Sequence, residues 1–278
     1  MSMRVACVQF CHHPSDVEEN FTRVEDYIRQ ASEDNVDLIV FPECFLGYSK
    51  IPDPLPRLGT LAKTYALDIV TGTYLYVDPE SGKRYNRASY IDKDGEVLMS
   101  YDKVHLWHGE RGFIEPGKQF PTVVNRFGIR VGLLICWDLT FADGFSNMVL
   151  DQGAQLVVIP AMWSYEDAGE VGQAWNHDSE VALIDSMTVA RAFEFQVPVV
   201  FCNMAAARSK EELPVDKEDT ECGHSQISMP FKGSLIKANH NHEALLAYDI
   251  PVAQITKDAE EHYKIRADWL ERPKKTNE

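Results

Sequence analysis

Arg130-Val-Gly-Leu-Leu-Ile-Cys136-Trp-Asp-Leu-Thr-Phe-Ala-Asp143 begins as an apolar run, closes on one cysteine and passes into a polar, turn-prone segment. Short unbroken apolar runs suit a strand buried on both faces, as in an α/β sheet. Phe145, Met148 and Val149 then fall at helical spacing, so a helix is expected over 141–152. Cys136 therefore sits where a buried strand gives way to a turn, the place where open sheets put their ligands. Peptide N–H groups or a helix N-terminus at such a turn are expected to lower its pKa from about 8.5 toward the reactive range. Alone, a cysteine beside Ile and Leu reads as packing. Its company elsewhere in the chain changes that reading.

Outward from this stretch the same strand-then-turn grammar recurs. Residues 3–10 read as a first strand, and Asp16 can cap a helix to about residue 34, with Val17, Phe21, Val24, Tyr27, Ile28 and Ala31 on one face. A buried strand over 36–41 follows, stopped by Pro42-Glu43. A β-α-β opening implies parallel strands with a helix across them. A helix over 58–65 and a strand over 69–77 come next; tight turns at 78–83 and 93–95 then frame strands at 85–91 and 97–101. That meander makes the sheet mixed. Residues 104–120, rich in His, Trp, Gly and Glu, read as loops around a site. Strands at 122–126, 129–135, 154–160, 197–203, 225–228, 234–236 and 244–250, with a helix over 178–194, complete the pattern.

The stretch 208–222 is charged and pattern-free, a surface loop expected to move. The tail from about 255 carries Tyr263, Ile265, Trp269 and Leu270, aromatic and apolar residues in a polar context that hint at docking, for instance on another subunit. No linker or composition break divides the chain, so 1–278 reads as one domain. Its length suffices to bury a full core.

A formal net charge of −16 opposes nucleic acid and anionic membranes as partners. No apolar stretch is long enough to span a bilayer, and the N-terminus enters a strand pattern without a signal-peptide layout, so a cytoplasmic location is expected. The six cysteines (Cys7, Cys11, Cys44, Cys136, Cys202, Cys222) form no Cys-x-x-Cys pair and are expected as reduced thiols. His240-Asn-His242 lacks a third ligand at a set spacing and reads as a turn; no metal is expected.

Three strand-like segments end in reactive residue types: Glu43 after 36–41, Lys103 after 97–101, and Cys136. A carboxylate just past Leu-Ile-Val-Phe-Pro is poorly solvated, which raises its pKa and makes it a usable base. Singly, Glu43 reads as a capped strand end and Lys103 as a solvated charge. Together Phe41-Pro-Glu43, Lys103-Val-His105 and Cys136-Trp-Asp138 resemble the three motifs of the nitrilase superfamily of carbon–nitrogen hydrolases, in that family's order and at comparable spacing. Pro160 ahead of Ala161-Met-Trp163, Arg191-Ala-Phe-Glu194 before Val200-Phe-Cys-Asn203, and Gly223-His-Ser225 before Pro230 resemble its later landmarks.

The resemblance implies a four-layer α-β-β-α sandwich with two mixed β-sheets, a catalytic triad of Glu43, Lys103 and Cys136, and Glu110 as a second glutamate orienting substrate and the first. It implies attack on a small amide by the cysteine, a thioester intermediate, no organic cofactor, and a homodimer or higher homo-oligomer. Trp137 and Trp163 are candidates to orient substrate, as Trp107, Phe113 and Trp175 are to line the pocket. Many amidase-type members carry an arginine where Thr140 stands, so a clamp for a substrate carboxylate is missing here. Cys-Trp is similar to the true nitrilases, which usually continue with Glu where this chain has Asp138; amide is favoured over nitrile. An N-carbamoyl-amine hydrolase, a nitrilase, a cysteine–histidine hydrolase using His105, His108, His177 or His224, and an inactive scaffold stay open as alternatives.

Overall fold

The computed structural model describes residues 2–47, 53–207 and 220–272. β1 (Met3–Gln9), α1 (Val17–Glu33) and β2 (Leu38–Val40) form the opening β-α-β unit, with β1 and β2 parallel. Asp16 caps α1 by accepting the N–H of Glu19 at 2.9 Å. α2 (Leu55–Tyr65), β3 (Asp68–Val70), β4 (Tyr74–Val77), β5 (Arg84–Ile91) and β6 (Val97–Asp102) follow. With β13 (Ala244–Ile250) they complete one sheet in the order β13-β1-β2-β3-β5-β4, β6 pairing with β5.

The strand expected over 69–77 is thus two pieces, both paired along β5 and kinked at Thr71-Gly72-Thr73. The kink has a steric cause. The carbonyl of Pro42 passes so close to Gly72 that a Cβ there would lie 1.9 Å from its oxygen. Glu43 is the next residue, so the kink clears the path of the chain that carries it.

β7 (Thr122–Val124), β8 (Arg130–Leu133), β9 (Leu156–Ala161), β10 (Val199–Asn203), β11 (Gln226–Met229) and β12 (Gly233–Lys237) form the second sheet in the order β12-β11-β10-β9-β8-β7. Its centre, β8-β9-β10, is parallel, like β1-β2-β3 in the first sheet. α3 (Ala142–Phe145) widens into a π-helical turn over Ser146–Asp151, within the helix expected there. α4 (Gly169–Trp175) was not expected from the sequence, and α5 (Ser179–Phe195) was.

Strand alternation explains the layers. Val5 and Cys7 of β1 face the second sheet, in one core with Leu133, Val158 and Val200. Ala6 and Val8 face outward to Phe21, Val24 and Ile28 of α1 and Leu58 of α2. Phe145, Met148, Ala192 and Phe195 cover the other side of the second sheet. Both sheets are mixed and helices flank them, which is the expected sandwich. Strands buried on both faces read as unbroken apolar runs for this reason.

The tail forms α6 (Val252–Tyr263) and α7 (Ile265–Glu271) and docks on its own chain. Ile265 and Trp269 pack on the core, the Trp269 indole donates to Asp151 at 2.7 Å, and the Arg266 guanidinium donates to the carbonyl of Val149 at 3.2 Å. Tyr263 and Leu270 stay exposed. Most of the stretch 208–222 lies outside the described residues. Among the described residues no helix is long and apolar enough to cross a membrane.

Replacing Gly72 with alanine should cost roughly 3 kcal/mol or more, because the obstacle is backbone and cannot rotate away. The expected reading is a lower urea midpoint with an unchanged slope.

Candidate active site

Four strand ends converge at one end of the sandwich. Glu43 follows β2 in a turn, and its N–H donates to the carbonyl of Ala161 at the end of β9, 3.2 Å away. The Glu43 carboxylate accepts three bonds: Oε1 takes the Asn86 amide at 2.7 Å and the Lys103 ammonium at 2.9 Å, and Oε2 takes the N–H of Met162 at 3.0 Å. Lys103, one residue past β6, lies 2.9 Å from Glu43 and 2.9 Å from Glu110, with only 2% of its side chain exposed. Glu110 also accepts from Asn86 at 2.6 Å and from the N–H of Trp107 at 2.7 Å. A lysine held between two glutamates is the charge arrangement that burial requires.

Cys136 follows β8 after Leu134-Ile135 and opens a 3-10 turn, Cys136–Thr140. Its φ of 46° is left-handed, a conformation costing a non-glycine residue about 1–2 kcal/mol. Three groups hold the turn against that strain. Asp138, buried, accepts the N–H of Ile135 at 3.0 Å, the Tyr101 hydroxyl at 2.7 Å and the N–H of His105 at 2.9 Å. The His105 ring lies 2.8 Å from Asp138 and 3.2 Å from Asp143, and stacks on Phe141. Arg191 of α5 donates to the carbonyls of Leu139 and Thr140, both at 3.1 Å. The thiol sits 3.6 Å from the carbonyl of Met162.

The cavity these groups line has a volume of about 330 Å³. All six residues expected at a site meet there: Glu43, Lys103 and Cys136, with Glu110, Trp137 and Trp163. Trp107 joins them, packed on Trp137 at 4.5 Å; Phe113 and Trp175 are exposed and do not line it. Trp163 is held by its indole N–H on Glu180 at 2.6 Å and its backbone N–H on Asn203 at 2.8 Å. Asn203 in turn donates to the carbonyl of Gly223 at 2.7 Å, and Ser225 accepts its N–H at 2.9 Å. The later sequence landmarks are therefore polar rivets that fix one cavity wall.

Electrostatics overturn one expectation. The Cys136 thiol is pushed well above its ordinary range, not below it: burial and then the Glu43 carboxylate raise it, and the Lys103 ammonium offsets only part. Burial, aided by Glu110 and opposed by Lys103, also raises Glu43, which makes it a stronger base than a surface carboxylate. Lys103 stays an ammonium because the Glu43 and Glu110 carboxylates outweigh its burial. Burial pushes Asp167, on the facing wall, up to about 6.

Sequence reasoning missed Asn86 and Asp167, and it took Asp138 and Arg191 as motif and landmark residues without a role for either. Asn86 stands between Tyr85 and Arg87 in a strand of mixed polarity, where a polar residue is no signal. The clamping roles of Asp138 and Arg191 were hidden because most of their partners lie on other elements. No histidine lines the described cavity; His105 serves Asp138, His224 lies against Asp185, and His177 is exposed beside Asp178. Among the described residues no group of three His, Cys, Asp or Glu could hold a metal ion.

A sequence model of the carbon–nitrogen hydrolase family matches residues 4–260. A probable nitrilase of Schizosaccharomyces pombe is 29% identical over 266 residues, covering 90% of this chain and 89% of that protein. A human omega-amidase is 27% identical over 274 residues, covering 91% and 90%. Saccharomyces cerevisiae Nit3, a member of branch 10 of the nitrilase superfamily, superposes with a TM-score of 0.78 at 23% identity over 95% of each chain, a likeness of fold.

His105 makes the Cys136 turn pH-sensitive. Asp138 and Asp143 raise its pKa against the opposing effect of burial. A raised folded-state pKa contributes stability that is full below the unfolded value of about 6.5 and is lost as pH rises through the folded value. The stability cost of His105→Gln should therefore be larger at about pH 6 than at about pH 9 in urea titrations. An equal cost at both would show that the imidazolium charge contributes nothing.

Proposed function

The chain belongs to the carbon–nitrogen hydrolase family, enzymes acting on C–N bonds other than peptide bonds, and from that premise we propose that it hydrolyses a small amide through a thioester on Cys136. The observation that carries the reading is one cavity holding a buried thiol, a carboxylate with a raised pKa, and an ammonium 2.9 Å from that carboxylate.

In this reading the resting cysteine is a thiol. With Glu43 and Glu110 ionised around one ammonium, a thiolate would add a third negative charge in a poorly solvated space. Its proton passes to Glu43 as sulfur bonds to the amide carbon, and the carbonyl π pair moves onto oxygen. The Lys103 ammonium and the N–H of Trp137, among the unpaired donors at the start of the 3-10 turn, hold that oxyanion. One such donor is typically worth about 2.7–4 kcal/mol. Collapse breaks the C–N bond as Glu43 returns the proton to nitrogen, and ammonia or an amine leaves. Water then gives a proton to Glu43 and attacks the thioester; the C–S bond breaks, the acid departs and the thiol is restored. Glu110 keeps Lys103 and Asn86 in place, while Trp137 and Trp163 flank the substrate. No cofactor enters these steps.

The same reading treats 1–278 as one hydrolase domain of a cytoplasmic homodimer or higher homo-oligomer, without nucleic-acid or membrane partners. Exposed Tyr263 and Leu270 are the apolar surface the tail leaves for a second copy.

Cys136→Ala should lower ammonia release from amides by at least ~10³-fold with the circular dichroism unchanged. Glu43→Gln should slow both halves of the cycle and let mass spectrometry detect an acyl adduct on Cys136. Ammonia release that survives Cys136→Ala would end the mechanism. Faster product formation from carbamoyl amines or nitriles than from amides would move the substrate class and leave the machinery in place.

A further inference from the structure

One neutral side chain spans both glutamates of the site. Asn86 is buried on β5, on the face that carries Ala88 and Tyr90 into the core between the sheets. Its backbone carbonyl accepts the Lys103 N–H at 2.9 Å, which pins it beside the lysine. Its Nδ2 donates to Glu43 Oε1 at 2.7 Å and to Glu110 Oε1 at 2.6 Å. A carboxamide has two protons on that nitrogen, so both are spent, one on each carboxylate. Turned over, the group would set its own oxygen against two negative ones, so the network fixes its orientation.

The two oxygens of Glu43 are not equivalent. Oε1 takes both Asn86 and the Lys103 ammonium, which fills its two lone pairs. Among the described residues Oε2 accepts one bond, from the N–H of Met162 at 3.0 Å. Met162 also meets the nucleophile, its carbonyl lying 3.6 Å from Sγ of Cys136. Oε2 and the sulfur are thus set against one residue. The charges are unequal as well, since two carboxylates share one ammonium, 2.9 Å from each. A buried asparagine that needed only partners could bond a single carboxylate. Bridging two holds them together against their mutual repulsion.

We propose that Asn86 is a positioning residue for the base: it keeps both glutamates ionised around one lysine and occupies Oε1 of Glu43, so that Oε2 is the oxygen that carries the proton. The thiol proton passes to Oε2 as sulfur bonds to the amide carbon, and Oε2 returns it to nitrogen as the C–N bond breaks. In the second half Oε2 takes a proton from water and gives it back to sulfur as the C–S bond breaks. Two protons of the ammonium are spent on Glu43 and Glu110, which leaves the third for the oxyanion. This assignment rests on the amidase mechanism above, and its test has an arm that needs no amide.

That arm is the reaction of Cys136 with methyl methanethiosulfonate, a small neutral reagent, followed across pH by peptide mass spectrometry. The sulfur forms a mixed disulfide, methanesulfinate leaves and Glu43 takes the thiol proton, so the acid limb of the rate profile reports Glu43. Burial raises Glu43, Lys103 and the Asn86 bond oppose that rise, and the Glu110 charge adds to it. Asn86→Leu, close in size and without donors, should therefore lift the limb by about one pH unit. Asn86→Asp keeps the shape and sets a third acid beside two, so it should lift the limb further. Glu110→Gln keeps an acceptor and removes a charge, and should move the limb down. A role confined to packing would lower the urea midpoint and leave the limb in place. An unmoved or lowered limb in Asn86→Leu overturns the inference; should that variant fail to fold, Asn86→Asp is read in its place. Ammonia release from acetamide, hexanamide and phenylacetamide is the separate arm. Limbs displaced as expected with no release from any of the three would sink the amidase reading and leave the role of Asn86 standing. Release with an unmoved limb would do the reverse.

Discussion

A single ammonium holds the site together. Lys103 is almost wholly buried between Glu43 and Glu110, and each of the three would be costly to bury alone. Several kcal/mol per ion must be recovered from mutual attraction and hydrogen bonds, so the geometry has little slack. Asn86 bridges the two carboxylates, and the N–H of Met162 completes Glu43. The ends of β2, β6 and β9 and the strand β5 are thereby tied at one point. The fold places them there because both sheets have parallel centres, and parallel strands deliver their C-terminal ends to the same side.

That charge arrangement also explains why the thiol is quiet at rest. Two carboxylates around one ammonium leave a net negative surrounding, and ionising Cys136 there is unfavourable. In the proposed mechanism, reactivity comes from a base with a raised pKa beside a protonated nucleophile, released only as the substrate carbonyl begins to take up charge. Such a site resists adventitious oxidation better than a free thiolate would.

Cys136 itself is placed by strain that the surroundings over-determine. A left-handed residue at a strand end is expensive, and the chain holds it with Asp138 from within the turn, His105 and Tyr101 from the neighbouring sheet, and Arg191 from the flanking helix. Each clamp comes from a different layer of the sandwich. The turn is therefore fixed by the assembly of the layers, which suits the nucleophilic role proposed for Cys136.

The sequence by itself determined the strand ends and the reactive residue types. Apolar runs such as 36–41 and 129–135 suit strands covered on both faces, and Pro42 and the turn-prone segment after Ile135 mark where they stop. Glu43, Lys103 and Cys136 were legible because each sits one or two residues past such a stop, and their ordered motifs carried the family resemblance. The close approach at Gly72 was not legible, since the carbonyl involved belongs to Pro42, in the turn after β2. Nor was the docking of the tail, whose aromatic residues could as well have met another chain. Only the tertiary structure decided the direction of the Cys136 shift and the rivets Asn86, Asp138 and Arg191. Those are sums of burial and charge over residues as far apart in sequence as Glu43 and Asp167, and local pattern holds no record of such sums.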